Sequence, residues 1–314
     1  MTCHYCKASA KKFGKFGPKK IQRYRCLQCG KTFSDAQDKP LDDMRIPVEK
    51  ATQVINLLVE GVGINATARL ADVNKETVLK LLVMVGERCE RLMDSTMRNI
   101  RATDIQCDEI WSFVKCKEKH VRPTDDRELV GDQYTYVAMD PSTKLVISFL
   151  IGKRNIPSTQ AFMSDLSERI SSHVQINTDA FGAYQHAIRR AFGFRADHGQ
   201  ITKIYAGGPD PGRSRYSPPK VIGAIRTPIS GLPDVERICT SHVERGNLNM
   251  RTFLRRMTRL CLGFSKKLEN LRYAVALYFA WSNFCRIHAT IKTTPAMASG
   301  LTDHVWTLNE LITR

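Results

Sequence analysis

Three acidic residues combine the type and the surroundings that metal-dependent chemistry on a phosphodiester needs. Asp108 lies within IQCDEIWSFV and Asp179 follows VQINT, so both stand at or just past short apolar, β-branched runs that predict strands. Glu244 opens an Arg-rich amphipathic segment that predicts a helix. Carboxylates carried by two strand ends and one helix can converge on a pair of hard cations such as Mg²⁺. Such a pair supports the cutting and rejoining of a phosphodiester, which makes these acids the first candidate site.

Other side chains compete for the same role, and each of the three acids also has a structural explanation. Asp108 could be a surface acid of an edge strand, although its strand looks buried. Glu109 directly follows Asp108, but strand alternation points it to the opposite face of its strand. Asp140 is better explained as the turn acid of a hairpin. Asp179 could serve only as the cap of the following helix, and Glu244 could be an acid favoured by the helix dipole. The weaker candidates are Asp104, His198 and His242.

The elements that must position the acids follow from the hydrophobic pattern between residues 105 and 193. The pattern predicts a first strand around Asp108 and then a hairpin whose turn is Asp140–Thr143. A helix capped by Ser158 and a strand leading to Asp179 come next, followed by a helix that ends at Gly193. Strands therefore dominate the part of the chain that carries the first two acids.

The segment between the second and third acids has a different composition. Residues 206–233 contain 6 Pro and 5 Gly, so we expect no helix or sheet there and a surface loop or arm instead. A helix from about Val243 to Leu262 is predicted to carry Glu244. A second helix, capped by Ser265, is predicted from Leu268 to about residue 287.

Four cysteines near the start of the chain have the spacing of a zinc site. Cys3 and Cys6 form one C-x-x-C pair, and Cys26 and Cys29 form another after 19 intervening residues. Each pair can present two thiolates to one tetrahedral Zn²⁺, and two pairs without a surrounding βαβ pattern argue against a redox motif. The ion could simply stabilise a module too small for a core. The basic and aromatic spacer also suggests DNA contact, with Lys19, Lys20 and Arg23 as candidate residues.

A second candidate DNA-binding segment follows the cysteines. Residues 45–98 predict a helix and then EGVGINATARLADVNKETVLKLL, which has the length and apolar spacing of a helix-turn-helix. Val73 and Asn74 would form the turn. A plain helical hairpin shares this pattern. If the segment reads DNA, the groove-facing candidates are Asn74, Lys75, Thr77 and Lys80.

Composition favours a polyanionic partner, and a nucleic acid is the best candidate; the alternative is a merely basic soluble protein. The 314 residues carry a net charge of +17, and their 42% hydrophobic content suffices for a proper core. Ten cysteines without a secretory segment indicate metal ligands and buried thiols instead of disulfides. No apolar run reaches the roughly 20 residues of a membrane-spanning helix. The sequence therefore predicts a cytoplasmic, nucleoid-associated protein without a membrane partner.

Three motifs together resemble the transposases of the insertion sequence 1 family. They are D-E-x-W-S-F-V from Asp108, T-D-x-x-x-Y around Asp179 and E-R-x-N-L-x-x-R-x-x-x-x-R from Glu244 to Arg256. The zinc-ribbon spacing and the helix-turn-helix are similar to that family's DNA-binding half, so the resemblance covers nearly the whole chain. Two departures are Gly246, where the family usually has a polar residue, and the long Pro/Gly segment.

The resemblance implies an α/β fold, with a ribonuclease-H-like mixed sheet flanked by helices after a zinc ribbon and an all-α helix-turn-helix domain. The implied domains are a zinc ribbon in 1–38, a helix-turn-helix in 45–98, a catalytic domain in 101–300 with the insertion 206–233, and a tail in 301–314. It also implies binding of the element's terminal inverted repeats, divalent-metal chemistry with Mg²⁺ or Mn²⁺, and a homo-oligomer in the DNA complex.

On this resemblance Asp108, Asp179 and Glu244 map to the three catalytic acids. In the mechanism expected for them, Asp108 bridges two Mg²⁺ ions while Asp179 and Glu244 each bind one. Arg251 lies seven residues after Glu244 and so shares its helix face, where it would contact a DNA phosphate. Asn247 lies on the same stripe. Arg255 belongs to a basic run that could also be only a solvated surface.

Two further functions remain open. The chain could be a sequence-specific DNA-binding regulator whose nuclease-like part is inactive, although the intact set of acids argues against decay. It could also be a nuclease that cuts without joining, although two DNA-binding modules serve a general nuclease poorly. Cleavage of a fixed DNA end, followed by strand transfer, would separate the three hypotheses.

Overall fold

The computed structural model describes residues 1–3, 5–17, 20–34, 40–42, 44–206 and 220–313. The chain forms two compact units, Met1–Arg45 and Ile46–Arg314. The prediction for Lys19 and the part of the Pro/Gly segment between 207 and 219 lie outside the described residues. Among the helices of the described residues, none combines the length and the apolar character that crossing a bilayer requires.

The smaller unit is built on a three-stranded antiparallel sheet. Its strands are β1 (Ala10–Phe16), β2 (Ile21–Cys26) and β3 (Thr32–Ser34), in that order. Nearly all of their side chains are exposed or half-exposed, because so short a segment cannot enclose an apolar core. The fully buried positions include Cys3 and Cys26. The cysteines therefore occupy the place that a hydrophobic core takes in a larger domain.

The larger unit contains a six-stranded mixed sheet with the order β6-β5-β4-β7-β8-β9. Strands β4, β7 and β8 are parallel to one another, and the outer pairs are antiparallel. The predicted α/β class with a mixed sheet is confirmed. The strands are β4 (Asp104–Val114), β5 (Gly131–Met139), β6 (Val146–Gly152), β7 (Val174–Asp179), β8 (Ala196–Tyr205) and β9 (Val221–Ser230).

Helices lie on both faces of this sheet. The helices are α1 (Val48–Val59), α2 (Ile64–Leu70), α3 (Lys75–Thr96), α4 (Ile156–Arg169), α5 (Ala183–Phe192), α6 (Ser241–Phe253), α7 (Leu268–Ala280), α8 (Pro295–Ala298) and α9 (Leu308–Thr313). Helices α4 and α5 pack together on one face, where Phe162 contacts Tyr136 of β5. Helix α6 packs on β4 and β5 from the other face.

The predicted helix-turn-helix segment packs against the rest of the larger unit. Helix α3 begins after Asn74, whose side chain accepts a hydrogen bond from the Glu76 amide, and it buries Val78 and Leu81 as expected. It runs along α7, and α9 packs against α1 and α3. Residues 46–98 and the described part of the predicted tail, 301–313, are therefore parts of one compact unit with the sheet.

The expectation of no sheet within residues 206–233 is wrong, because β9 lies there and pairs with β8. Strand β8 was also missing from the predicted elements. Most side chains of β9 are exposed, so its sequence shows no clear alternation of apolar and polar residues. The strand forms because it pairs with a neighbouring strand. Pro228 is tolerated because β9 is an edge strand, where a residue without an N–H group can face away from the ladder.

Three predicted helix ends also differ from the structure. The helix with Glu244 stops at Phe253 instead of residue 262, because Leu254 turns to an extended conformation and buries its side chain. The cap of α4 is Asn155, which accepts a hydrogen bond from the amide of Ser158, the residue predicted to cap. Ser265 does not cap α7, since it is buried and its carbonyl accepts a hydrogen bond from the Lys115 amide.

Candidate active site

The two strand-borne acids come together because of the register between β4 and β7. In this parallel pair Asp104 lies beside Gln175 and Gln106 beside Asn177, an offset of 71 residues. Asp108 and Asp179 are separated by the same 71 residues, so they stand at matched positions on the same face of neighbouring strands. Glu109 joins these two acids. One carboxylate oxygen from each of Asp108, Glu109 and Asp179 lies within 4.8 Å of the other two.

Glu109 belongs to this acidic group although alternation along β4 directs it to the other face. Its side chain is only 2% exposed and pairs with Arg154, whose Nε lies 2.9 Å from Glu109 Oε2. Arg154 also reaches Asp179 with 3.2 Å between Nη2 and Oδ2, and its guanidinium stacks 3.9 Å from the centre of the Phe181 ring. Asp179 is the last residue of β7, at the edge of the sheet. Arg154 can therefore contact both Asp179 and Glu109, although the two acids belong to opposite faces of the sheet.

Glu244 lies in the same cleft but outside the 4.8 Å group. It sits in the first turn of α6, where Thr240 Oγ1 donates a hydrogen bond of 2.6 Å to Glu244 Oε1. Its other oxygen pairs with the ammonium group of Lys203 on β8. The cleft has a volume of about 570 Å³, and Asp108, Asp179 and Glu244 all line it. The structure therefore brings the three predicted acids to one cavity, each with its own polar partner.

Two predicted residues of α6 line this cleft beside the acids. Asn247 Nδ2 donates a hydrogen bond of 2.8 Å to Asp108 Oδ2, which ties α6 to β4 at the site. Arg251 Nη1 donates to the Met257 carbonyl oxygen at 3.1 Å. Burial lowers the pKa of Arg251 to about 10, and the nearby Arg259 adds to this effect while Asp108 opposes it. The cleft thus combines acidic groups with a cationic rim.

The electrostatics of the acidic group favour the binding of a cation. Burial raises the pKa of Asp108 from 3.8 to about 7, and the neighbouring Glu109, Asp179 and Glu244 contribute to the rise. Burial likewise raises the pKa of Glu109, while hydrogen bonds from Tyr184 and Arg154 oppose this rise. Several carboxylate oxygens in close range are the hard donor set that Mg²⁺ or Mn²⁺ requires. The residues therefore fit a divalent metal site.

The four cysteines of the smaller unit form a separate candidate metal site. Their sulfur atoms lie within 4.8 Å of one another, with 3.7 Å between Cys3 and Cys29 and 3.4 Å between Cys6 and Cys26. Zn–S bonds of about 2.3 Å place tetrahedral sulfur atoms roughly 3.8 Å apart. The amides of Cys29 and Gln28 donate to Cys26 Sγ and lower the pKa of that thiol to about 6. The arrangement fits one tetrahedral ion.

The remaining predicted DNA-contacting residues lie at the surface. Lys75 and Lys80 are exposed on α3, where Thr77 is half-buried. Lys20 is exposed, and Arg23 stacks over Phe16 while it donates to Thr32. Arg255 is exposed in the turn after α6 and does not line the acidic cleft.

Sequence reasoning missed two cations that pair with the acids of the cleft. Lys203 was overlooked because β8 was not predicted. Arg154 follows Lys153 at the end of a predicted strand, and such a basic pair does not by itself indicate a contact with the acids. Arg259 belongs to the basic run for which the sequence favours DNA contact over a solvated face, and it lines the cleft. The contacts of Lys203 and Arg154 with the acids join strands and turns that are distant in the chain.

Comparison with known proteins gives matches among solved structures alone. No family model matches the chain, and no curated protein does. The Mos1 transposase paired-end complex with left transposon end is 14% identical and has a TM-score of 0.20; the match covers 51% of this chain and 60% of that one. The Mos1 strand transfer complex is 16% identical with a TM-score of 0.19, covering 50% and 58%. A pre-cleavage Mos1 transpososome is 15% identical with a TM-score of 0.20, covering 53% and 62%. The chain thus spans about three-fifths of the structures it matches.

Proposed function

We propose that this chain is a DNA transposase that cuts and joins DNA strands with a DDE set of acids. It would bind the terminal inverted repeats of an insertion sequence, free their 3′-hydroxyl ends and join these ends to target DNA. One observation carries the proposal: the matched register of β4 and β7 places Asp108 beside Asp179, and α6 adds Glu244 to the same cleft. The motif resemblance to insertion sequence 1 transposases agrees with this arrangement.

The three acids would act together as ligands of divalent metal ions. The pKa of Asp108 is raised by Glu109, Asp179 and Glu244, so all three carboxylates act on Asp108 across the cleft. When bound, Mg²⁺ or Mn²⁺ would activate the attacking oxygen and stabilise the leaving oxygen of an in-line displacement. Asn247 orients Asp108 through its hydrogen bond, and Lys203 holds the charge of Glu244 before metal arrives. Arg251 offers a cation to the DNA phosphate at the rim.

The other parts of the chain supply DNA binding in this proposal. The four-cysteine unit acts as a zinc ribbon, and α2 with α3 acts as a helix-turn-helix that exposes Lys75 and Lys80. The sheet, with Asp108 within β4 and Asp179 at the end of β7, acts as a ribonuclease-H-like core. A net charge of +17 suits a double-stranded DNA partner. Pairing of two element ends would require a homo-oligomer, and the site of action would be the nucleoid in the cytoplasm.

Strand cleavage on a defined end tests the proposal. A labelled duplex carrying the element's terminal repeat is incubated with Mg²⁺ or Mn²⁺ and with the wild type, Asp108→Asn or Glu244→Gln. We expect metal-dependent nicking at the repeat edge, at least a hundred-fold loss in both variants, and unchanged binding of the repeat. The matched control is Glu236→Gln, which removes an exposed acid outside the cleft and should cut normally.

The same experiment separates the competing functions. Binding of the repeat without cleavage, also when two ends are supplied together, would favour a regulator with an inactive nuclease-like part. Cleavage without transfer of the freed 3′-end to a second duplex would favour a nuclease. Loss of both binding and cleavage in Asp108→Asn would count against the assignment, because that carboxylate is not expected to contribute to docking of the repeat.

A further inference from the structure

A second cavity next to α6 is lined by cationic side chains. Its volume is about 130 Å³, and no Asp or Glu occurs among its described lining residues. His242, Arg245 and Asn249 of α6 face it, whereas Glu244, Leu248 and Arg251 face the acidic cleft. Positions three, four and seven apart share a helix face, so the two cavities flank α6 on different faces. We call this cavity the cation pocket; its basic side chains are Lys144, His242, Arg245, Arg286 and His288.

The two histidines of the cation pocket are arranged as hydrogen-bond donors. Lys144 Nζ lies 3.1 Å from His242 Nδ1, and because an ammonium group can only donate, this ring nitrogen is the acceptor. The amide of Thr290 donates to His288 Nδ1 at 3.3 Å. Each neutral ring must then carry its proton on Nε2. Among the described residues no acceptor is bonded to either Nε2, so two N–H groups remain available to a ligand.

Arg286, one of the two arginines of the cation pocket, is held in place by aromatic rings. The Arg286 guanidinium lies 4.0 Å from the centre of the Phe253 ring and 5.4 Å from that of Trp281. Stacking of this kind fixes the plane of the guanidinium and leaves its N–H groups at the edge free to meet an anion.

Among the described residues that line the pocket, no acid balances its positive charge. The pKa of His288 is lowered by burial and by the nearby Lys144, Arg286 and His242, which shows that these groups repel one another. Asp140 is the acid near Lys144, but it is engaged by the hydroxyl groups of its own turn and does not line the cavity. An entering anion would relieve this repulsion.

We propose that the cation pocket binds a phosphate group of the DNA backbone, on the side of α6 away from the acids. A phosphate offers several strong acceptor oxygens, which matches donors from Lys, Arg and two histidines converging on a small cavity. Because Asn247 lines both cavities, a strand gripped in the pocket would be held at a fixed distance from the acidic cleft. The inference rests on the proposed function, since it takes DNA as the ligand, and it adds a second contact point to that site.

The salt dependence of DNA binding tests the cation pocket. The logarithm of the association constant for a repeat duplex is measured against the logarithm of salt concentration, without divalent metal. For Lys144→Gln with Arg245→Gln we expect the slope to fall by about 1, as for one lost phosphate contact. The charge-conserving pair Lys144→Arg with Arg245→Lys should keep the wild-type slope. The matched control is Arg189→Gln with Arg190→Gln, which removes the same charge from the exposed side of α5 and should leave the slope unchanged.

Several outcomes would overturn the inference. An unchanged slope in the pocket variant does so, as does an equal fall in the control pair, because either result removes the specific role of this cavity. Inorganic phosphate is titrated in parallel while the histidine signals are followed by nuclear magnetic resonance. Movement of the His288 signals with phosphate, together with an unchanged DNA slope, would reassign the pocket to a free phosphate ligand.

Failure of this inference can be told apart from failure of the proposed function. The binding experiment uses no metal and no cleavage, so a smaller slope in the pocket variant supports the phosphate contact even if the protein never cuts DNA. Metal-dependent cleavage with an unchanged slope would refute the pocket alone. A melting temperature close to that of the wild type shows that the variants are folded.

Discussion

At the residue scale, each acid of the cleft is matched by a donor from a different element. Asn247 on α6 holds Asp108, Arg154 after β6 holds Asp179, and Lys203 on β8 pairs with Glu244. Close carboxylates repel one another, and these contacts offset the repulsion while no metal is bound. Asp108 has an amide as its partner instead of a cation, which agrees with its pKa being raised to about 7.

The raised pKa of Asp108 predicts that the metal-free protein loses stability as the pH rises from about 4 to 7. In this window the folded protein keeps a proton on Asp108 while the unfolded chain, with a pKa near 3.8, has lost it. Unfolding therefore releases a proton, and the free energy of unfolding falls by up to about 1.4 kcal/mol for each pH unit of increase. When urea unfolding is measured without Mg²⁺, the free energy of unfolding of Asp108→Asn should fall less steeply with pH than that of the wild type. Identical pH profiles would mean that Asp108 titrates normally.

At the element scale, the helical N-terminal segment of the larger unit is tied to the C-terminal half by the contact of α3 with α7. Gly86 of α3 faces Tyr273 of α7 so closely that an added Cβ would lie 2.4 Å from the Tyr273 Cβ and 2.5 Å from its carbonyl oxygen. Only glycine permits this approach of two helix backbones. The contact joins elements that the sequence pattern assigns to different domains.

We expect Gly86→Ala to destabilise the protein by about 1–3 kcal/mol through overpacking, despite the roughly 1 kcal/mol that alanine gains in helix propensity. The matched control is Gly246→Ala in α6, where the new Cβ would meet only the flexible end of the Met139 side chain, with Cε at 2.8 Å and Sδ at 3.9 Å. That variant should be near wild type or more stable. Urea unfolding curves of both variants provide the measurement, and equal stabilities would show that α3 and α7 can separate at no cost.

At the scale of the whole molecule, the chain consists of two compact units with different sources of stability. The larger unit encloses a core of buried side chains that includes Ile105, Tyr136, Phe162 and Leu271. The smaller unit has four converging cysteines instead, so its folding should depend on a bound metal ion. Losing the ion should therefore affect one unit and spare the other.

Cys26→Ser tests this division. We expect the bound zinc to fall from one ion per chain to none and the binding of the repeat duplex to weaken, because a three-ligand site no longer folds the small unit. The main thermal transition, which reports the larger unit, should stay in place. Cys116→Ser, which changes a half-buried cysteine outside the group of four, is the matched control and should retain zinc. Full zinc content in Cys26→Ser would remove the proposed site.

The sequence by itself determined which residues could act as ligands and which kinds of element carry them. Spacing identified the two cysteine pairs, apolar runs identified the strands that carry Asp108 and Asp179, and helical periodicity placed Asn247 and Arg251 on the stripe of Glu244. These signals are local, because strand alternation, helix periodicity and turn chemistry are set by residues only a few positions apart.

Only the tertiary structure decided which of these residues meet. The 71-residue offset between β4 and β7 follows from how two strands pack, and no local pattern encodes it. The same holds for Lys203 on an unpredicted strand and for Arg154, which contacts Glu109 and Asp179 from a turn distant in sequence. Strand β9 escaped the sequence analysis because its exposed residues are stabilised by pairing with β8 instead of by an apolar pattern. Long-range pairing is selected by the packing of the whole unit, and that packing assembles the cleft.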